Sequence, residues 1–344
     1  MRIGWVLYRA LEQLTGGYVY DARVVLELRK QGDTVELLSL PDADLASPDR
    51  LLLDVLNGAF DLIVGDELCH LELDSLFDSL ARLRAEGTKV PASVLLVHHL
   101  TAWESGKSRS TESRVVQAAD RVIVTSEMSA RRMALEFGVQ AVVCVPGADR
   151  LPLLERCSDP TLDAPLELLF VGTWTERKGL LVLVQALGRL QRPSYRLRIA
   201  GDQARDPAYR SIVETEINSL PLVSARIEIC GAVSDSTLAQ LYSSADVLVL
   251  PSFFEGYGMV LCEALRAGLA LVASDVGAVP EVAQAGKDAR LVPAGNVEAL
   301  AAVLDELITN RAEVRRLQAN ASQRTLEAWS AVGQCFRDVL VYTG

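Results

Sequence analysis

Short runs of Val, Ile, Leu and Ala, bounded by turn residues, recur through the first half of the chain at 3–7, 35–38, 62–64, 94–97, 122–124 and 142–145. Uninterrupted apolar runs of this length suit strands buried on both faces, as in parallel sheets. The segments between them have helical spacing instead. In 18–30, Val19, Val24, Leu26 and Leu28 mix with Arg23, Glu27 and Arg29, and 129–137 follows Ser126, a candidate N-cap. The same alternation starts afresh at 166–171 and continues at 196–200, 226–230, 247–250 and 269–273. Strand and helix in alternation predict an α/β protein with two doubly wound parallel sheets.

Between the two series, 147–165 contains Pro152, Asp159-Pro160 and Pro165 and has no clear period, which suits a linker. The expected layout is a first domain at 1–150, a linker at 151–165, a second domain at 166–325, and a helical segment at 326–344. That last segment is open to either domain, a return onto the first included. With 344 residues, each domain is long enough to bury its own core. Ligands of doubly wound sheets sit beyond the carboxyl ends of the strands, so the loops following the strands carry the chemistry.

Composition narrows the functions. A net charge of −11, from 34 Lys and Arg against 45 Asp and Glu, would repel a nucleic-acid backbone, so no nucleic acid is expected as a partner. Hydrophobic residues at 50% and charged residues at 23% are ordinary globular usage and argue against large-scale disorder. The cysteines, at 69, 144, 157, 230, 262 and 335, show no metal or redox spacing, which fits a reduced chain. The apolar run at 3–7 meets Arg9, too short for a secretory h-region, and nowhere do eighteen apolar residues run together. A cytoplasmic protein is expected, with membrane contact at most peripheral, through a basic patch of Lys107, Arg109, Arg114, Arg131 and Arg132.

Several familiar motifs fail on inspection. Gly106-Lys107-Ser108 imitates the end of a P-loop, but Thr101 stands where its first Gly belongs. Gly16-Gly17 lacks the further glycine of a dinucleotide fingerprint. Asp42-Ala43-Asp44 is a carboxylate pair in a polar loop with no flanking ligand pattern and reads as solvated surface. No His/Asp/Glu ligand cluster emerges from the spacing, so no metal and no cofactor are expected.

The loop after 247–250 is different. It runs Pro251-Ser252-Phe253-Phe254-Glu255-Gly256-Tyr257-Gly258 into a helical pattern containing Glu263. A strand that leads through glycines into a helix points free N–H groups of Gly256, Tyr257 and Gly258 at whatever lies beyond the strand ends, which makes an anion site. Glu263 falls among apolar neighbours, where a carboxylate needs partners.

Glu255 and Glu263 in the arrangement E-x7-E, with Glu-Gly-Tyr-Gly leading the helix, resemble the retaining GT-B glycosyltransferases of glycosyltransferase family four. Other segments of the second domain fit in order: 172–179, 199–202, 231–235, 245–247 and 277–281. In the first domain the resemblance rests on Gly16-Gly17, His98 and 144–149, where Gly147 and Ala148 replace the family's Asn and Gly. It implies a GT-B fold, two Rossmann-like domains facing across a cleft, with the acceptor side in the first domain and the nucleotide-sugar donor in the second.

The resemblance also implies roles. Glu263 would accept hydrogen bonds from the donor ribose and Glu255 from the transferred sugar, while Lys178 and the helix amides neutralise the diphosphate as the glycosidic bond breaks. Gly16 and Gly17 fall on the donor side, and His98, the strand-end histidine, would contact the donor sugar near the reacting carbon. The basic residue usually found after the first glycine of 172–179 is Thr173 here; Arg177 either replaces it or is an exposed helix-start charge. The implied activity is metal-independent hexosyl transfer from a UDP- or GDP-sugar to a small-molecule, glycan or lipid-linked hydroxyl acceptor. A nucleotide-sugar hydrolase or epimerase on the same fold, or a non-catalytic sugar-nucleotide binding protein, shares these features.

Overall fold

A computed structural model describes residues 1–8, 15–40, 48–105, 110–156, 164–191 and 194–341. Asp42-Ala43-Asp44, Gly106-Lys107-Ser108, Arg109, Cys157 and Asp159-Pro160 lie outside the described residues. The first six strands are β1 (Arg2–Tyr8), β2 (Thr34–Leu40), β3 (Leu62–Asp66), β4 (Ala92–Val97), β5 (Arg121–Val124) and β6 (Val142–Val143), ordered β2-β1-β3-β4-β5-β6. The next six are β7 (Leu166–Val171), β8 (Tyr195–Ala200), β9 (Ile227–Gly231), β10 (Val247–Leu250), β11 (Ala270–Ser274) and β12 (Ala289–Val292), ordered β12-β11-β10-β7-β8-β9. Every neighbouring pair is parallel. Strands β3, β10 and β11 are buried at every position, the result of helices packing on both faces.

The second sheet includes a strand that the apolar runs do not predict. Ala-Arg-Leu-Val of β12 sits at the sheet edge beside β11, with an isolated bridge from Ala289 to Ala285, and its Arg290 reaches Glu306 at 2.6 Å. An edge position lets a charged side chain leave the sheet, which breaks the run that marks central strands.

Two compact units result: Met1–Pro146 with Ala328–Gly344, and Gly147–Glu327. The first therefore ends before 150, and much of the expected linker belongs to the second. Ala148 and Leu151 are buried in the second unit's core, and the Ala148 amide donates to the Glu327 carbonyl at 2.8 Å. Helix Trp329–Val341 completes the first unit: Phe336 stacks on Trp5 at 5.5 Å, Trp329 meets Tyr20 edge-on at 5.5 Å, and Arg337 bonds Asp33 at 3.0 Å. The same helix brings Cys335 to Cys144, sulfur to sulfur at 2.8 Å, although 191 residues separate them.

In each sheet the chain reverses its direction of winding at one point, between β1 and β3 in the first and between β7 and β10 in the second. Crevices form beyond the carboxyl ends of strands at such points. In the second unit the loops there are in backbone contact. Gly179, at φ +68°, has no room for a side chain, since a Cβ would stand 2.0 Å from the Pro251 carbonyl oxygen. Gly179→Ala is expected to cost about 3 kcal/mol or more, from the left-handed backbone and the clash together. Gly16→Ala, where a Cβ meets nothing within 4 Å, serves as the control. Urea unfolding of both variants checks this, and a Gly179→Ala protein as stable as Gly16→Ala would contradict it.

Candidate functional site

The candidates in the second unit gather where β7 and β10 end. After β7, a short turn at Glu176–Lys178 is closed by Gly179, and the Arg177 carbonyl accepts from the Phe253 amide at 2.7 Å. That bond and the Gly179 approach hold the two loops in register. Lys178 Nζ consequently donates to Glu255 Oε1 at 2.7 Å, Ser252 Oγ donates to the same oxygen at 2.6 Å, and Arg177 Nη1 lies 3.8 Å from Glu255 Oε2. Arg177 also donates to the Phe254 carbonyl at 3.0 Å. The loop after β11 closes from the other side. Gly277, at φ +53°, approaches the Glu255 carbonyl so closely that a Cβ would stand 2.1 Å away, and the Ala278 amide donates to that carbonyl at 3.0 Å.

Glu255 is buried, which by itself pushes a carboxyl pKa up. Lys178, Arg177 and the Ser252 hydroxyl overcome that penalty and hold it below its usual range, so Glu255 stays ionised. It precedes helix Met259–Arg266, whose N-cap Gly258 is at φ +93°, with Gly256 and Tyr257 between. The Leu261 amide donates to the Gly258 carbonyl at 2.9 Å, and the amides ahead of it precede any carbonyl of the helix one turn back.

Glu263 lies on the buried side of that helix. Arg150 Nε donates to its Oε1 at 2.8 Å, and the Tyr242 hydroxyl donates to its Oε2 at 3.0 Å. Arg150 also reaches Asp235 at 2.5 Å, at the start of helix Asp235–Ser244. These are the partners that a carboxylate at this position requires. Each carboxylate oxygen has a second lone pair, so the held group can still accept from a ligand hydroxyl. Sequence reasoning missed Arg150 and Tyr242; an arginine beside the altered 144–149 motif was the one available signal.

In the first unit, Gly16 and Gly17 open helix Gly16–Lys30, and His98 follows β4. Gly16 is exposed, whereas Gly17 lies against the His98 ring, 3.0 Å from a Cβ position to Cδ2. His98 is surrounded by acids that sequence reasoning did not find. Its Nε2 is 3.0 Å from Asp21 Oδ1 and 4.0 Å from Asp66 Oδ2, and the amides of His98 and His99 donate to Glu67 at 3.0 and 3.3 Å. Asp21, Asp66 and His98 also satisfy the ligand spacing of a metal site, which corrects the expectation that no His/Asp/Glu cluster exists. Spacing concealed it because the three lie on a helix and two strand ends, 45 and 32 residues apart in sequence.

Burial raises the carboxyls of Asp21 and Asp66 to about 7 and that of Glu67 to about 8, with the Asp66 charge adding to the shift at Glu67. The basic patch is less available than expected. Arg114 is forked onto Asp74 at 2.5 Å, Arg132 bonds Glu136 at 2.6 Å, and Lys107 and Arg109 lie outside the described residues. Among the described residues, no helix is long and apolar enough to cross a membrane.

Residues 159–324 match the family model described as Glycosyl transferases group 1. Among curated relatives, an MMP alpha-(1->4)-mannosyltransferase of Mycolicibacterium hassiacum is 29% identical over 241 residues, covering 67% of this chain and 56% of that protein. A phosphatidyl-myo-inositol mannosyltransferase of Mycolicibacterium smegmatis is 32% identical over 219 residues, 61% of this chain and 54% of that protein. The match thus spans about half the length of these relatives. Among solved structures, sucrose-phosphate synthase from Thermosynechococcus elongatus superposes with a TM-score of 0.80 at 20% identity, covering 99% of both chains. Anabaena HepE in complex with UDP and glucose superposes with a TM-score of 0.79 at 18% identity, covering 99% of this chain and 100% of that one. The fold is the GT-B fold.

The first unit's acids generate a pH dependence. An Asp that titrates near 4 unfolded and near 7 folded makes the folded state bind more protons between those values. Its contribution to stability therefore falls as pH rises from about 4 to about 7 and stays low above. Asp66→Asn removes one such group while keeping an oxygen for the Leu68 amide, which Asp66 accepts at 2.7 Å. The Tm of Asp66→Asn relative to wild type is expected to climb across that window; a difference that is flat or falls with pH contradicts the assignment.

Proposed function

We propose that this chain, whose residues 159–324 match the Glycosyl transferases group 1 family model, transfers a hexosyl group from a UDP- or GDP-sugar to a hydroxyl acceptor, with retention of anomeric configuration and without a metal ion. The observation that carries this reading is the convergence of Lys178 and Arg177 on ionised Glu255, beside the opening amides of helix Met259–Arg266. A leaving nucleoside diphosphate gains negative charge as its bond to the anomeric carbon breaks. Fixed cations and amide dipoles lower the free energy of that charge without reorganisation. Lys178 and Arg177 supply the charge, Glu255 accepts from sugar hydroxyls, and Glu263, fixed by Arg150 and Tyr242, accepts from the ribose.

In this mechanism the bond from the anomeric carbon to the phosphate oxygen breaks while the acceptor oxygen approaches on the same face. The acceptor proton passes to the departing phosphate oxygen. His98 contacts the donor sugar. Arg177 then takes the place of the cation that Thr173 lacks, and its contact with Glu255 favours that role over an exposed helix-start charge. The HepE complexes with UDP and UDP-glucose support a nucleotide-sugar donor. Reaction in the cytoplasm agrees with the reading.

A panel of nucleotide sugars tests it, first by the rise in Tm that ligand binding produces and then by turnover with sugar and lipid-linked acceptors in EDTA. The expected result is one donor series that stabilises the protein and a product with the donor's anomeric configuration. Loss of turnover in EDTA with recovery on Mg²⁺ or Mn²⁺ overturns metal independence, an inverted product overturns retention, and sugar release to water alone points to a hydrolase.

Among single variants, Glu263→Ala is expected to weaken nucleoside diphosphate binding, whereas Glu255→Ala lowers turnover more than binding. Lys178→Ala should be nearly inactive. Arg177→Ala should lose at least about tenfold in turnover, about 1.4 kcal/mol, and weaken the diphosphate more than the nucleoside. Steady-state kinetics and calorimetry check these effects. Silence of both Arg177→Ala and Lys178→Ala would remove the phosphate role from this loop.

A further inference from the structure

The His98 ring in the first unit is gripped on several sides. Gly17 closes on its Cδ2 edge, Tyr20 meets it edge-on at 5.2 Å between ring centres, and Glu67 fixes the backbone through the amides of His98 and His99. Its Nε2 faces Asp21 Oδ1 at 3.0 Å, and Nδ1 makes no hydrogen bond among the described residues. Asp21 is fully buried, and its other oxygen, Oδ2, accepts from Trp5 Nε1 at 3.3 Å. Trp5 is itself immobilised against Phe336. Asp66 Oδ2, buried and without a hydrogen bond among the described residues, stands 4.0 Å from the same Nε2.

We propose that Asp21 is a positioning residue for His98: it accepts the Nε2 proton, fixes the ring and its tautomer, and thereby leaves Nδ1 as the nitrogen that meets the substrate. The substrate half of this statement rests on the glycosyltransferase reading, whereas the tautomer half does not. A direct Nε2 to Asp21 bond also fills the space that an ion shared by the two would occupy. The charged and titratable groups around the ring are Asp21 and Tyr20 from helix Gly16–Lys30, the Tyr20 hydroxyl donating to the Cys144 carbonyl at 2.8 Å, and Asp66 and Glu67 from the end of β3. A protonated Asp66 would compete with the ring for Asp21, so the tautomer is read above the pH near 7 at which burial places these two carboxyls.

Trp5 makes the proposal testable. Indole N–H is a donor only, so an amide placed at position 21 must turn its carbonyl oxygen toward Trp5 and its NH₂ toward His98. Asp21→Asn should therefore force the proton from Nε2 onto Nδ1. Other histidine–aspartate pairs lose catalysis when an asparagine imposes the wrong tautomer.

The experiment is long-range ¹H–¹⁵N NMR of histidine-labelled full-length protein at about pH 8, with His98→Gln identifying the signal among the three histidines. Wild type should show the Nε2–H tautomer and Asp21→Asn the Nδ1–H tautomer. Turnover of Asp21→Asn should fall at least tenfold while affinity for the free nucleoside diphosphate stays within twofold. Nδ1–H in wild type overturns the proposal, and this measurement stands even if Asp21→Asn fails to fold. An unchanged tautomer in a folded Asp21→Asn protein also overturns it. So does a Tm rise with stoichiometric Zn²⁺ in wild type that Asp21→Asn abolishes, since the cluster would then be a cation site. If the tautomer moves as expected but no nucleotide sugar is turned over by wild type, the glycosyltransferase reading fails and the Asp21 assignment remains.

Discussion

The second unit depends on how closely four loops approach one another without side chains between them. Gly179 abuts the Pro251 carbonyl, Gly201 abuts the Gly172 carbonyl with a Cβ position 1.9 Å away, and Gly277 abuts the Glu255 carbonyl. All three have positive φ, at +68°, +150° and +53°, which only glycine adopts readily. The loops after β7, β8, β10 and β11 can therefore nest at the strand ends, and Lys178 falls opposite Glu255 because Gly179 is already seated. The chemistry of the site is thus set by backbone fit before any charge is considered. The ion pairs complete an arrangement that they did not create.

The two candidate sites treat buried carboxylates in opposite ways. Glu255 and Glu263 are each given cations, from Lys178 and Arg177 in one case and Arg150 in the other, and Glu255 is held ionised. Asp21, Asp66 and Glu67 gather around His98, and burial drives their carboxyls toward neutrality. One site holds charge in place. The other holds protons near a histidine.

Much of this was legible in the chain because the informative groups are local. Buried strands announce themselves as apolar runs, and Glu255 and Glu263 share a single loop and helix. What could not be read is what lies far apart in sequence. Arg150 meets Glu263 across 113 residues, and His98 meets Asp21 across 77. Asp21 reads as one polar position on an amphipathic helix, and nothing in its neighbours distinguishes a buried acid from a solvated one. Edge strand β12 escaped because Arg290 interrupts its run. Cys144 and Cys335 escaped for the same reason as the acids, since only helix Trp329–Val341 brings them together.

That helix also bears on the order in which the molecule can be made. The second unit is one uninterrupted stretch, Gly147–Glu327, whereas the first needs helix Trp329–Val341 to cover Trp5 and Tyr20. On a ribosome, residues 1–146 emerge before helix Trp329–Val341 and must wait for it before their core can close, with Trp5 and Tyr20 uncovered by it meanwhile. Domains that are contiguous in sequence complete as units during synthesis. The middle of this chain therefore finishes folding before its beginning does, and a nascent chain stalled near residue 327 would carry a finished second unit attached to an uncovered first.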